Sequence, residues 1–173
     1  VLLNRIVTDH ESQLRVWPAA QVIHHAYRGG FLEHITKMAE VGRFVSHAYG
    51  ADWDLVLAGI VLHDIGKLQE LAYEGGVASY TRDGNMVGHI ALGIVMVREA
   101  ANGISGFPDD LRAHLEHLIA SHHGIREHGP GTATNYLRNG IEHSSAGIQL
   151  AVVRGHRADD RVEMPAADRT KQD

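Results

Sequence analysis

The residues best suited to chemistry are histidines that stand where apolar stretches end. The chain has 173 residues, 14 of them histidine. His63 and Asp64 lie side by side in Val61-Leu62-His63-Asp64-Ile65-Gly66-Lys67. An adjacent His and Asp reach one metal ion only where the backbone turns, and Gly66 offers such a turn. The sequence has no cysteine, which removes disulfides, thiolate metal sites and cysteine nucleophiles together. A metal would therefore be held by imidazole and carboxylate, a donor set that suits Mn, Fe, Co, Ni, Zn or Mg without choosing among them. By itself the His-Asp pair also fits a plain helix end, the His favoured by the dipole and the Asp accepting backbone N–H bonds. What decides between the two is whether other residues converge on it.

The elements that must position such a site are helical. Leu2, Leu3, Ile6, Val7, Leu14 and Val16 predict a short N-terminal helix, and after Pro18 the stretch Ala19 to Tyr27 predicts another, ending at Gly29-Gly30. From Phe31 the helical spacing is strong, with Phe31, Ile35, Met38, Val41 or Gly42, Val45 and Ala48 on one face and His34 at its inward edge. Gly50 ends this helix, and Asp52 or Asp54 caps the next. Leu55 to Leu62 is apolar all round, the mark of a helix buried on every side, and it delivers His63 and Asp64. Val77 to Arg82, between Gly75-Gly76 and Asp83-Gly84-Asn85, predicts a small hairpin or ordered loop. A helix from Met86 carries His89 in its first turn. Another opens at Pro108-Asp109-Asp110 and runs along Leu111, Leu115 and Leu118 to His122, His123 and the stop at Gly124. The expected fold is all-α, a bundle of about five or six helices.

Composition narrows the function. A hydrophobic share of 44% with 21% charged residues is that of a globular protein. The longest apolar run, Leu55 to Leu62, is far shorter than the ~20 residues a membrane helix needs. No secretory signal is expected, since Val1-Leu2-Leu3 is followed at once by polar and charged residues; a cytoplasmic location and no membrane partner are the expectation. A net charge of −5 gives no general pull toward nucleic acid, so an anionic substrate would be held by metal and a few local Lys and Arg residues.

In order, then, come His34, His63-Asp64, His89 and His122-His123. This series resembles the HD superfamily of metal-dependent phosphohydrolases. The likeness is greatest to the HD domain of YhaM-type 3′→5′ exoribonucleases, in His24-His25-Ala26-Tyr27-Arg28-Gly29-Gly30-Phe31-Leu32-Glu33-His34, Leu62 to Lys67, Gly88-His89-Ile90-Ala91-Leu92-Gly93 and Ser121-His122-His123-Gly124. The spacing leaves residues 1–17 as a helical lead-in, and the polarity of 156–173 marks a tail expected to be disordered; the resemblance implies residues 18–155 as the HD domain. It further implies a first metal on His34, His63 and Asp64, with Asp64 bridging to a second on His89, His122 and His123. Such a centre of one or two divalent ions would activate a water against phosphorus, with Asp64 and Lys67 in catalytic roles and Lys67 neutralising phosphoryl charge. His24, His25, Arg28 and Arg82 are candidates for holding substrate, which would be a phosphorylated small molecule, a nucleotide or the end of a single-stranded nucleic acid.

The sequence departs from the family at one point. The family closes its first site with a late Asp, whereas Ile141 to Gln149 contains none; Glu142, His143, Asp159 and Asp160 are the substitutes on offer. Two further readings follow from the same scaffold: a non-catalytic HD module that binds a nucleotide or a partner protein, and an HD-scaffold oxygenase.

Overall fold

The computed structural model describes residues 1–22 and 25–123. The described chain runs α1 (Leu2–Asp9), α2 (Glu11–Leu14), α3 (Gly30–Tyr49), α4 (Trp53–Leu62), α5 (Lys67–Glu70), β1 (Leu71–Glu74), β2 (Val77–Tyr80), α6 (Arg82–Asn102) and α7 (Asp109–Ser121). The expected all-α architecture is present, with one small antiparallel hairpin added to it. Asp52 starts α4 by accepting the N–H groups of Asp54 (2.9 Å) and Leu55 (3.3 Å) at Oδ1, which satisfies donors that have no partner inside the helix.

Helix α4 is the centre of the core, as its unbroken apolarity requires. Ile60 and Leu62 meet Phe31 of α3, Val97 of α6 and Ile119 of α7 in one cluster of buried side chains, to which α1 adds Leu2 and Ile6. Burial of such side chains contributes roughly 1.5–3 kcal/mol each, enough to fix where the helix ends fall.

Three local expectations are corrected. Ala19 to Tyr27 is not helical over its described residues. The backbone around it closes a loop instead, with the Ala19 N–H on the His25 carbonyl (3.1 Å), the Gly29 N–H on that of Val16 (3.1 Å) and the Phe31 N–H on that of Trp17 (3.0 Å), pairings that a helix over the stretch would not make. The hairpin turns at Gly75-Gly76 and pairs Leu71 with Tyr80 and Glu74 with Val77. Its first strand therefore precedes the glycine pair, and Arg82 to Asn85 belong to α6, started by Thr81 Oγ1 accepting the Gly84 N–H at 2.8 Å. On α3, Gly42 and Ser46 face inward while Val41 and Ala48 are exposed.

Helix α6 begins earlier than the spacing suggests and is broken at Gly88 (φ 77°, ψ 159°), a conformation that L side chains rarely adopt. His89 thus opens the second stretch of the helix.

Candidate metal centre

Four helix termini or faces deliver the candidate ligands. His34 comes from α3, His89 from the new start of α6 after Gly88, and His122 and His123 from the end of α7. At the end of α4 the backbone tightens into three-residue turns, with the Ile65 N–H on the Leu62 carbonyl (3.2 Å) and the Lys67 N–H on that of Asp64 (2.9 Å). Ile65 and Leu68 anchor this turn in the core, and it brings His63 Nε2 within 3.2 Å of Asp64 Oδ2. Gly66 has ordinary right-handed angles (φ −62°, ψ −16°), so it is not needed for the turn itself. Its role is close approach: a Cβ there would lie 2.0 Å from the His89 carbonyl oxygen.

The six residues fall into two groups. The possible ligand atoms of His34, His63 and Asp64 lie within 4.8 Å of one another, as do those of His89, His122 and His123. His34 Nε2 is 3.4 Å from His63 Nε2, and His89 Nε2 is 3.2 Å from His123 Nε2. Asp64 stands between them. Its Oδ2 faces His63, while Oδ1 lies 3.5 Å from both His89 Nε2 and His122 Nε2.

The opposite ring edges explain why the Nε2 atoms converge. His63 Nδ1 lies 2.9 Å from the Ile60 carbonyl and His122 Nδ1 2.7 Å from that of Ile119. A carbonyl can only accept, so each Nδ1 carries the proton and Nε2 of the neutral ring keeps a lone pair. His89 Nδ1 donates in the same way to Glu70 Oε1 at 3.0 Å. Lone pairs and a carboxylate therefore crowd one space, and among the described residues Asp64 Oδ1 has no hydrogen-bond partner there. An orphaned buried anion oxygen ringed by imidazole lone pairs is the donor set of a divalent cation.

The electrostatics point the same way. Burial opposes the Asp64 charge, yet the carboxyl is held well below its usual range, with the Lys67 amine 2.9 Å from Oδ2 as the cationic partner beside it. Burial, helped by His63, pulls the His34 imidazole down to about 4. His123 falls to about 4 through burial and its neighbours His122 and His89. Both rings are therefore neutral at pH 7 and can bind metal without first losing a proton.

Lys67 is held beside the centre, its Nζ 2.9 Å from Asp64 Oδ2 and donating to the Ala19 carbonyl at 2.8 Å. The His25 ring lies 5.7 Å from that of His34, between centroids. Arg28 and Arg82 are exposed, and no hydrogen bond or ion pair among the described residues ties either to the six. His24, Glu142, His143, Asp159 and Asp160 lie outside the described residues. The residue that the sequence reading misses is Glu70, 8% exposed and bonded to His89. No sequence signal marked it, because its partner lies nineteen positions away.

No helix among the described residues is long and apolar enough to cross a membrane. Comparison with known proteins gives a match of residues 31–159 to the family model described as HD domain. The chain is also similar to the 3′-5′ exoribonuclease YhaM of Bacillus subtilis (strain 168), with 36% identity over 126 residues that cover 72% of this chain and 39% of the relative. It thus spans well under half the length of that curated protein. No solved structure matches.

Proposed function

Since the chain belongs to the HD domain family, we propose that it is a metal-dependent phosphohydrolase acting on phosphoesters of nucleotides or at the 3′ end of a single-stranded nucleic acid. The observation that carries this reading is Asp64, a buried carboxylate with one oxygen toward each of two imidazole groups and one of those oxygens without a hydrogen bond among the described residues. The nucleic-acid substrate is suggested by the likeness to a 3′-5′ exoribonuclease.

The residues divide the work. His34, His63 and Asp64 would hold one ion, and Asp64, His89, His122 and His123 a second. Divalent ions of the Mn, Fe, Co, Ni or Zn type, with Mg as a further choice, supply Lewis acidity to the phosphoryl oxygens and an acidic water. Neutral imidazoles leave the positive charge of the site undiminished, and Asp64 offsets only part of it. The Lys67 ammonium adds a fixed charge of the sign that favours a phosphate. His25, whose ring lies 5.7 Å from that of His34, would touch a substrate at the edge of the centre; Arg28 and Arg82 would act on the bound strand farther out.

The test is hydrolysis of a generic phosphodiester and of a 3′-labelled oligoribonucleotide by chelator-stripped protein reloaded with Mn, Co or Ni. Turnover should appear with metal and vanish in D64N. The proposal fails if no metal restores turnover, or if D64N retains it. A second reading, a non-catalytic module that binds a nucleotide, is favoured by the lack of an aspartate in Ile141 to Gln149. Nucleotide binding that survives D64N with no turnover in either form would decide for it.

A further inference from the structure

We propose that Glu70 is the positioning residue of the His89 side of the centre: it fixes the tautomer and direction of His89, so that binding of one of the two ions depends on it and binding of the other does not. The inference rests on the metal-centre reading above. Glu70 is 8% exposed, and among the described residues no lysine or arginine pairs with its carboxylate. A carboxylate in that position is costly unless its hydrogen bonds are made. Both bonds to Glu70 Oε1 come from one residue, the His89 backbone N–H at 3.0 Å and His89 Nδ1 at 3.0 Å.

The need for a distant acceptor follows from the helix break. His63 and His122 end their helices, and each finds an Nδ1 acceptor in the carbonyl three residues earlier in the same helix. His89 opens a helical stretch, because Gly88 interrupts α6 just before it. It has no preceding regular turn to supply such a carbonyl, and its own N–H is one of the donors that a helix start leaves without a partner. Glu70 meets both demands from nineteen positions away.

The grip is two-sided. Gly66 lies against the His89 carbonyl, so closely that a Cβ would sit 2.0 Å from it. Glu70 lies one turn further along α5, with its N–H on the Gly66 carbonyl at 2.9 Å. The short segment after His63-Asp64 therefore presents Asp64 and Lys67 to the centre and clamps His89 with Gly66 and Glu70. A carboxylate partner also makes an imidazole a more basic ligand than a carbonyl partner does. His34 and His63 share none of these contacts, so the dependence is confined to one side.

The experiment uses the full chain as wild type, E70Q and E70M. Mn titration by calorimetry is expected to show two binding events in wild type. E70M should weaken one of them by about 10- to 100-fold and leave the other unchanged, with E70Q, which keeps an acceptor but not the charge, in between. Imidazole 15N spectra of the metal-free proteins should show His89 protonated at Nδ1 in wild type and E70Q and a tautomer mixture in E70M, a change that a merely structural role would not produce. Equal weakening of both events, an unaltered titration in E70M, a single event in wild type, or a wild-type His89 without an Nδ1 proton overturns the proposal. If E70M does not fold, the wild-type and E70Q spectra and titrations decide. A wild-type chain that binds no Mn overturns the metal-centre reading, and the spectra then still judge Glu70 separately.

Discussion

His34 and His123 set how the metal-free protein responds to acid. In an unfolded chain an imidazole takes up its proton near 6.5, whereas these two do so only near 4 in the folded protein. Between those values the unfolded state binds more protons, so stability must fall as pH drops through that window. Solvent reaches both rings in part and moderates the loss. The midpoint of urea unfolding of metal-free protein should therefore decline from pH 6.5 to pH 4; a flat profile over that range would contradict imidazoles held neutral in the fold. At this scale the sequence was informative where chemistry resides in residue type. Six of its histidine and aspartate candidates meet in space, because each stands at an end or on a face of an apolar helix that the core fixes. Glu70 was not legible, since its partner lies nineteen positions away and the contact exists only once α5 and α6 pack. Gly66 was noticed for its conformational freedom, yet its use is to admit the His89 backbone.

The elements carry those residues, and Gly88 is where one element is given up for the site. Its angles of φ 77° and ψ 159° suit glycine, and apart from its own chain neighbours and helix backbone no atom of the described residues lies within 4 Å of an added Cβ. Replacement by alanine should therefore cost about 1–3 kcal/mol through the backbone alone. Denaturant unfolding of G88A should show a lower midpoint at unchanged slope, and unaltered stability would show that the helix passes through position 88 without strain. Helix α4 could be read directly from its apolar run, because a helix buried on every side needs no periodicity to declare itself. The stretch Ala19 to Tyr27 could not. Its donors bond to carbonyls across a loop, and such pairings are invisible to a pattern search that looks three and four residues ahead. The hairpin was anticipated near Gly75-Gly76 but displaced by half its length, as the glycine pair marks the turn and not a border.

At the scale of the molecule, a chain of net charge −5 would have to attract the proposed phosphate substrate through local charge, and the candidate ligands gather around Asp64. Helices α3, α4, α6 and α7 share one core, so the two imidazole groups are held by a single packed unit and cannot drift apart independently. The family match to residues 31–159 takes in these helices, and the chain's own packing explains why the pattern His34, His63-Asp64, His89, His122-His123 demands them. The most direct test of the account is an anomalous difference map from crystals grown with Mn. It should show two peaks about 3.5–4 Å apart, one among His34, His63 and Asp64, the other among Asp64, His89, His122 and His123, with the Asp64 carboxylate between them. Peaks elsewhere, or none within ligand distance of Asp64, would contradict it.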